Sequence, residues 1–333
     1  MSKAAVPRPR VYITQPVAKT AVGRLRQIAA VTMNPDASRV IAKRALIAAV
    51  RRCDILFCLL HDRIDGDVIA ANPKLRMIAA MSVNPSHIDM EAANARGIAV
   101  TVVPILQTET TADLCFGLMI AVARRMREGD RLVRAGRFPG AQSSYLLGQA
   151  VHGKTVGLIG GGGLIGKAVA RRAHGFGMRV LYWAPRRKPE SEERDAGLSY
   201  VPLDDLLRDS DFVSVHTPLN KETRHQIGAR ELKLMKKTAY LINTARGPIV
   251  DEAALVRALQ RRQIAGAGLD VFEHEPEVTS ALLKMANVVT TPHLGSAVVE
   301  VREQMANIVV DNILALLGGK TPPNCVNPEV LRG

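Results

Sequence analysis

Three side chains in the second half of the chain carry groups that could bind a carboxylate and move a proton. Arg246 lies in the segment NTARG, Glu275 in LDVFEHEP and His293 in TPHLGS. A guanidinium is planar and permanently charged, so it can hold carboxylate and carbonyl oxygens. An imidazole changes charge near neutral pH, and a nearby carboxylate would orient it and favour its protonated form. Together these groups predict a small carbonyl acid held beside a proton donor.

Each of the three residues also has a plainer interpretation when it is considered alone. An arginine after a strand is usually a surface cation, and a loop histidine usually makes structural hydrogen bonds. Two glutamates, Glu273 and Glu275, flank His274, so the residues alone leave the acidic partner open. The chemical interpretation therefore depends on the other motifs of the chain.

A glycine run upstream of these segments is typical of a dinucleotide-binding turn. Residues 156–166 read VGLIGGGGLIG and lie between a predicted strand and a predicted helix. Such a turn lets the backbone approach a pyrophosphate, whose charge the helix N-terminus stabilises. A flexible loop without a ligand would not need this placement. A dinucleotide site combined with Arg246, Glu275 and His293 predicts hydride transfer to or from the carbonyl acid.

The register of the glycine run can be read in two ways. Anchored on the helix, the pattern falls on Gly161, Gly163 and Gly166. Counted from the strand, it begins at Gly160 and Gly162 and places Ile165 third. We favour the first register because a small residue is needed where helix and strand pack closely. The N–H groups of Leu164 and Ile165 would then face the pyrophosphate.

The end of the next predicted strand carries residues that discriminate between the two nicotinamide dinucleotides. The segment VLYW ends at Trp183 and continues as APRRK. An NAD-preferring fold places a carboxylate here to bind the ribose hydroxyls, whereas this chain has Ala184. Arg186 and Arg187 follow, with Lys188 beside them, and arginines can grip a 2′-phosphate in a forked geometry. The sequence therefore predicts that NADPH or NADP is preferred and that NADH or NAD is also accepted.

Two successive strand–helix alternations must position these motifs, which predicts an α/β fold with parallel sheets. The first alternation has predicted strands at residues 10–14, 54–60, 75–80 and 98–102. Its predicted helix at 86–96 has Ser86 as N-cap and Gly97 just beyond its end.

The second alternation has predicted strands at residues 155–159, 179–183, 212–215, 239–243, 266–269 and 288–290. The motifs fall at the ends of these strands, where ligands bind in such sheets. A long helix at 109–134 is predicted to join the two halves, and a second amphipathic helix is predicted at 297–317.

Composition excludes several classes of protein. The 333 residues suggest two domains. The net charge of +14 comes from scattered arginines, and with only 4% aromatic residues nothing indicates nucleic-acid binding. The longest apolar stretch, 114–123, is too short to cross a membrane, and the first ten residues lack the apolar core that a signal peptide would have, so we expect none. The four cysteines are not spaced as metal ligands, so we expect no metal site. We expect them to be buried thiols of a protein in the reducing cytoplasm.

With its motifs in this order, the chain from residue 79 to residue 296 resembles the D-2-hydroxyacid dehydrogenase family, nearest its glyoxylate/hydroxypyruvate reductase branch. The resemblance implies two doubly wound parallel-sheet domains with the active site in the cleft between them. A flavodoxin-like substrate domain would comprise residues 1–103 and 297–333, and a Rossmann dinucleotide-binding domain residues 104–296.

The resemblance also assigns roles to residues. Arg246 would bind the substrate, and His293 would give the proton in reduction and take it in oxidation. The glutamate directly before the proline, Glu275, would be its partner. The cofactor contacts would be Thr111, Gly161, Gly163, Leu164, Ile165, Gly166, Trp183, Ala184, Arg186, Arg187, His216, Pro218, Thr223, Thr244, Ala245, Asp270 and Gly295.

The substrate carboxylate would also meet the turn formed by Ser82, Val83 and Asn84, in addition to Arg246 and His293. Asn84 stands where the family usually has glycine, and asparagine tolerates left-handed backbone geometry, so we expect the turn to survive. The segment GRFPG at 136–140 lacks the tryptophan that the family carries there. That arm helps to set substrate size, so the identity of the acid stays open.

The implied partners are a small 2-oxo or 2-hydroxy acid and a second copy of the chain, with no nucleic acid and no membrane. Formate dehydrogenase is an alternative, but that relative has glutamine where Glu275 stands. Phosphoglycerate dehydrogenase is another, although little chain follows the last helix for a regulatory domain. A nucleotide-sensing corepressor on the same scaffold is the alternative outside enzymes, and turnover would exclude it.

Overall fold

Buried apolar runs form the strands of two separate sheets. The computed structural model describes residues 8–332. The chain divides into two compact units, Met1–Leu106 with Val298–Gly333, and Gln107–Ala297. We call them the first unit and the second unit. The sequence-based boundaries fall nearby, at 103/104 and 296/297.

The first unit is built on a five-stranded sheet. Its elements before residue 106 are β1 (Arg10–Ile13), α1 (Lys19–Ile28), β2 (Ala30–Met33), α2 (Lys43–Val50), β3 (Ile55–Leu59), α3 (Gly66–Ala70), β4 (Met77–Met81), α4 (Met90–Ala95) and β5 (Ala99–Thr101). The strands are all parallel, in the order β2-β1-β3-β4-β5.

The second unit is built on a seven-stranded sheet. Its elements are α5 (Thr108–Ala123), α6 (Met126–Arg134), β6 (Thr155–Ile159), α7 (Leu164–Gly175), β7 (Arg179–Trp183), α8 (Glu190–Ala196), β8 (Ser199–Tyr200), α9 (Leu203–Asp209), β9 (Phe212–Val215), α10 (Ala229–Leu234), β10 (Tyr240–Asn243), a 3₁₀ turn (Gly247–Ile249), α11 (Glu252–Gln260), β11 (Gly266–Leu269), α12 (Ser280–Lys284) and β12 (Val288–Thr290). The strands are all parallel, in the order β12-β11-β10-β9-β6-β7-β8.

The seven-stranded sheet has an apolar core on each face. One core contains side chains of α5 and α7, and the other contains side chains of α9, α10 and α11. Strands covered on both faces are apolar at nearly every position, which explains why the sequence marks them clearly. The order reverses at β6, which lies between β7 and β9, and ligands bind at the carboxyl ends of strands at such a point. The glycine run begins there.

A C-terminal helix completes the first unit. This helix, α13 (Val299–Leu317), packs against β4 and α1. Thr20 on α1 donates to Glu303 at 2.7 Å, and Arg24 donates to the side-chain oxygen of Asn307 at 2.9 Å. A final 3₁₀ turn follows at Pro328–Leu331. The tail of the chain therefore belongs with its beginning.

The single long helix predicted at 109–134 is wrong. The structure has two helices, α5 and α6, because Arg125 adopts a left-handed backbone with φ of 53°. That conformation cannot continue a right-handed helix. The Arg125 guanidinium is held by Glu128, with N–O distances of 2.9 and 2.6 Å, which fixes the break.

Two further expectations for the first unit differ from the structure. Helix α4 starts four residues later than predicted and its N-cap is Asp89, whose carboxylate accepts from the Ala92 N–H at 2.9 Å. Ser86 therefore does not cap it. Strand β2 was not predicted, because it is a half-exposed edge strand without a continuous apolar run. The predicted fold class of two parallel α/β sheets is confirmed. Across residues 8–332, none of the helices has the length and apolarity to span a membrane.

Candidate active site

His293 and Glu275 form a hydrogen-bonded pair in the second unit. His293 Nδ1 lies 2.8 Å from Glu275 Oε2, and both side chains are about four-fifths buried, with 22% and 20% exposure. The other oxygen of Glu275 accepts from the Phe272 N–H at 3.0 Å. This second bond fixes the carboxylate, so the imidazole ring is oriented by a group that is itself held.

The loop that carries His293 is strained and anchored. His293 has a φ of 55°, a left-handed region that few non-glycine residues occupy. Its N–H donates to the Asp270 carbonyl at 2.9 Å. The Asp270 carboxylate accepts from Thr291 Oγ1 at 2.6 Å and from the N–H groups of Leu294 and Gly295 at 2.7 and 3.0 Å. Asp270 was expected as a cofactor contact, and the structure shows it bracing the His293 loop.

Arg246 follows β10 and lies next to the segment of Glu275. Its Nη1 donates to the Ala245 carbonyl at 2.7 Å. Burial lowers the pKa of Arg246, while the negative charge of Glu275 acts in the opposite direction. The side chain of Asn243 holds the turn, because it accepts from the Ala245 N–H and donates to the Arg246 carbonyl, both at 3.0 Å. The guanidinium is thus a partly buried cation on a fixed turn.

Gly247 lets the arginine turn and the glutamate segment approach each other. A Cβ at this position would lie 1.9 Å from the carbonyl carbon and oxygen of Phe272, so only glycine fits. Sequence reasoning did not single out Gly247 or Asn243, although both belong to the segment NTARG. Their contacts bring Arg246 towards the residues that hold Glu275.

The glycine run forms a tight turn into a helix. Gly160 has a φ of 85°, and a Cβ there would lie 2.8 Å from the backbone of His216. A Cβ at Gly166 would lie 2.5 Å from the backbone of Gly161, so helix and turn are in close contact. Helix α7 begins after Gly163, and no side chain caps it. Its first N–H groups, including those of Leu164 and Ile165, therefore suit an anion such as a pyrophosphate.

Two buried polar atoms near this turn also fit a bound ligand. Within residues 8–332, His216 Nε2 and Thr244 Oγ1 have no hydrogen-bond partner. They follow β9 and β10, at the carboxyl edge where a dinucleotide would lie. Burial lowers the pKa of His216 to about 4, so the ring is neutral at physiological pH. Both residues were predicted cofactor contacts, and hydroxyl or amide groups of a dinucleotide would satisfy them.

Other predicted cofactor contacts make hydrogen bonds to backbone carbonyls of the second unit. Thr111 donates to the Gly295 carbonyl at 3.2 Å, and its neighbour Thr110, which sequence reasoning missed, does so at 2.8 Å. Thr223 donates to the Pro218 carbonyl at 2.7 Å. These bonds join α5 to the His293 loop and close the loop after β9. The side chains thus shape the walls of the site.

The comparisons with known proteins identify the family. The family model described as D-isomer specific 2-hydroxyacid dehydrogenase, NAD binding domain, matches residues 116–295. The chain belongs to this family. This dehydrogenase is 46% identical over 327 residues to a glyoxylate reductase of Korarchaeum cryptofilum, covering 98% of each chain. It is an NAD(P)-dependent oxidoreductase.

Solved structures of relatives have the same fold. The TT0316 protein of Thermus thermophilus matches with a TM-score of 0.87 and 42% identity, covering 95% of the dehydrogenase and 99% of that chain. A Sinorhizobium meliloti NADPH-dependent glyoxylate/hydroxypyruvate reductase, solved with NADP and malonate, matches with a TM-score of 0.77 and 34% identity. That match covers 96% of the dehydrogenase and 97% of the other chain.

In the charged loop after β7, the two arginines that were predicted to bind a 2′-phosphate have different surroundings. Trp183 ends the strand, and Ala184 follows where a carboxylate would bind ribose hydroxyls in an NAD site. Arg187 donates through Nε and Nη2 to the carboxylate of Glu193, both at 2.8 Å. Arg186 is exposed, and in the described part of the dehydrogenase no hydrogen bond or ion pair engages its side chain. The two arginines are therefore not equivalent.

The predicted substrate turn lies in the first unit, directly after β4. Ser82 Oγ donates to the Asn84 carbonyl at 2.8 Å, and Asn84 Oδ1 accepts from the Ser86 N–H at 3.2 Å. Val83 between them is partly exposed. Asn84 does not take up the left-handed backbone that the comparison with glycine suggested. Side-chain hydrogen bonds close the turn instead.

Proposed function

We propose that this dehydrogenase reduces glyoxylate-type 2-oxo acids to the corresponding D-2-hydroxy acids. The observation that carries the proposal is the His293–Glu275 pair at 2.8 Å on a loop anchored by Asp270, with Arg246 on the neighbouring turn. The glyoxylate reductases that match over nearly the whole chain support the same substrate class. The reaction is reversible, since the same residues can take up the proton in oxidation.

The residues divide the work of the reaction between them. When bound, the reduced nicotinamide supplies the hydride that attacks the carbonyl carbon. The planar Arg246 guanidinium pairs with the substrate carboxylate and polarises the carbonyl oxygen. His293 gives a proton to that oxygen, so hydride and proton together yield the hydroxyl group. Glu275 holds the ring through Nδ1, and Nε2 would be the nitrogen that transfers the proton.

The residues that would hold the dinucleotide lie in the glycine turn and in the loops that follow β9 and β10. The α7 N-terminus would hold the pyrophosphate, and the His216 and Thr244 side chains would meet the nicotinamide half. We propose that NADPH is preferred to NADH, because Ala184 brings no negative charge and Arg186 is exposed and uncommitted. The Sinorhizobium meliloti relative is named NADPH-dependent, which supports this preference.

We further propose that the dehydrogenase forms a homodimer and works in the cytoplasm. Residues 126–147 expose an unusual number of large apolar side chains, namely Met126, Val133, Phe138, Tyr145 and Leu147. An exposed set of this kind is typical of a protein–protein interface. All four cysteines are free thiols, which suits a reducing compartment. Light scattering after gel filtration measures the molar mass and so tests the dimer. Phe138→Asp should weaken the association of the two copies.

The test of the proposed function is turnover with a panel of 2-oxo acids. Purified protein is mixed with NADPH or NADH and with glyoxylate, hydroxypyruvate, pyruvate or a branched 2-oxo acid, and loss of the reduced nicotinamide is followed. We expect the highest kcat/KM for glyoxylate or hydroxypyruvate with NADPH. Absence of turnover with every acid would contradict the proposal.

A further inference from the structure

A buried carboxylate lies behind the charged loop that follows β7. Glu193 on α8 is only 6% exposed, although α8 is otherwise a polar surface helix. It accepts from the phenol of Tyr182 at 2.6 Å and from both Nε and Nη2 of Arg187 at 2.8 Å. These bonds lower the pKa of Glu193 to about 2, so it is charged at neutral pH. An ionised group this buried persists only because it is fully bonded.

Arg187 is committed to this carboxylate. The Nε–Nη2 edge of its guanidinium, which fits an oxyanion in a fork, is already used in the two bonds to Glu193. Its Cζ also lies 5.6 Å from the ring centroid of Tyr200, a cation–π distance. Arg187 would have to leave Glu193 before it could bind a phosphate through this edge.

The bonds around Glu193 fix the residues on either side of Arg187. The Lys188 N–H donates to the Tyr182 phenol at 2.9 Å. The stem of Lys188 lies across Gly162, where an added Cβ would be 2.8 Å from its Cγ. The β7 loop is thereby tied to the pyrophosphate turn. Arg186, on the other side of Arg187, stays exposed.

We propose that Glu193 is a positioning residue that sets the cofactor preference of this dehydrogenase. It holds Arg187 as the anchor of the loop, so that Arg186 and Lys188, and not Arg187, present the positive charge to a 2′-phosphate. The inference rests on the proposed preference for NADPH and deepens it.

The test is the binding of each dinucleotide to the full-length protein without substrate. Titration calorimetry gives the Kd of NADPH and of NADH for the unmodified protein, for Glu193→Gln, for Arg187→Ala and for the double variant. Fluorescence of Trp183, the only tryptophan, gives a second readout. We expect Glu193→Gln to weaken NADPH about tenfold, the loss of one charge-assisted contact. NADH should change by about twofold or less, since it has no 2′-phosphate.

The variants distinguish positioning from direct contact. If Glu193 and Arg187 act as one unit, Arg187→Ala gives the same loss and the double variant is no worse than either single variant. If Arg187 itself binds the phosphate, Glu193→Gln frees it, and NADPH affinity is unchanged or higher, which overturns the proposal. Tyr182→Phe should lower NADPH affinity by a smaller factor, because it removes only the phenol.

A matched control lies on the same helix. Asp195→Asn makes the same change of charge at an exposed position, and both affinities should stay as they were. The melting temperature of each variant separates misfolding from loss of preference. If the unmodified protein binds both dinucleotides equally, the proposed preference fails together with this inference. If it prefers NADPH but Glu193→Gln keeps the ratio of affinities, only the inference is wrong.

Discussion

Replacing Arg246 with lysine removes the planar fork while keeping the positive charge. In the structure, Nη1 of Arg246 is bonded to the Ala245 carbonyl at 2.7 Å, which leaves the remaining N–H groups for the substrate. A lysine ammonium is a single point that must serve both this carbonyl and the substrate oxygens. At least one charge-assisted hydrogen bond is lost, worth about 1.5–3 kcal/mol. That range corresponds to a fall of about 10- to 150-fold in kcat/KM.

The assay for this variant separates substrate binding from cofactor binding. kcat and KM for glyoxylate are measured at saturating NADPH, and the Kd of NADPH is measured without the acid. We expect the loss in KM and kcat and none in the dinucleotide Kd, because the fork acts on the acid. Arg230→Lys is the control, since Arg230 is 62% exposed and pairs with Asp204 and Glu231. A wild-type KM for every 2-oxo acid in Arg246→Lys would show that Arg246 does not bind the substrate.

Four further substitutions test the proton transfer, the cofactor preference and the pH dependence of stability. His293→Ala should lower kcat by about 10²–10⁴-fold because the proton donor is lost, with an unchanged Kd for NADPH by titration. Glu275→Gln should lower kcat for reduction by about tenfold, because the imidazole loses the charge-assisted hydrogen bond that orients it; an unchanged kcat would show that the reaction does not depend on the pair. The double change Ala184→Asp with Arg186→Ala should reverse the NADPH:NADH ratio of kcat/KM. His216 has a pKa lowered from 6.5 to about 4, so the unfolded chain binds the extra proton first and stability falls as the pH drops through that window. In His216→Gln the slope of unfolding free energy against pH should be smaller by at most about 1.4 kcal/mol per pH unit.

The strands of the second unit could be read from the sequence almost to the residue. Strands β6, β7, β9, β11 and β12 have the predicted bounds, and β10 starts one residue later. Parallel strands covered on both faces are continuous apolar runs bounded by turns, which is a strong local signal. The edge strands β2 and β8 lack that signal, because they are short and only partly buried.

Two helix boundaries were predicted incorrectly because they depend on backbone conformations and caps that the residue pattern does not indicate. The pattern from 109 to 134 stays helical in composition, and only the left-handed Arg125, held by Glu128, divides it. The start of α4 was placed at Ser86, whereas the carboxylate of Asp89 makes the cap. Both residue types can cap a helix, so residue type alone does not decide between them.

The reacting groups of the candidate site could be predicted from the sequence, whereas the contacts that hold them in place could not. Arg246 and His293 could be named from their segments, whereas the choice of Glu275 over Glu273 depended on the resemblance to the family. The close approach at Gly247, the bracing of the His293 loop by Asp270 and the strained φ of His293 could not. These features arise from contacts between segments far apart in the chain. The same holds for the bond between Arg187 and Glu193, which gives two adjacent arginines different environments.

The configuration of the product formed from hydroxypyruvate tests whether Arg246, Glu275 and His293 form the site of 2-oxo acid reduction. The purified protein is incubated with hydroxypyruvate and NADPH, and the glyceric acid formed is resolved by chiral chromatography alongside a parallel sample of His293→Ala. We expect one equivalent of D-glycerate for each NADPH oxidised by the unmodified protein and very little product from the variant. Formation of L-glycerate, or equal turnover by the variant, would contradict the assignment of Arg246, Glu275 and His293 as the site of 2-oxo acid reduction.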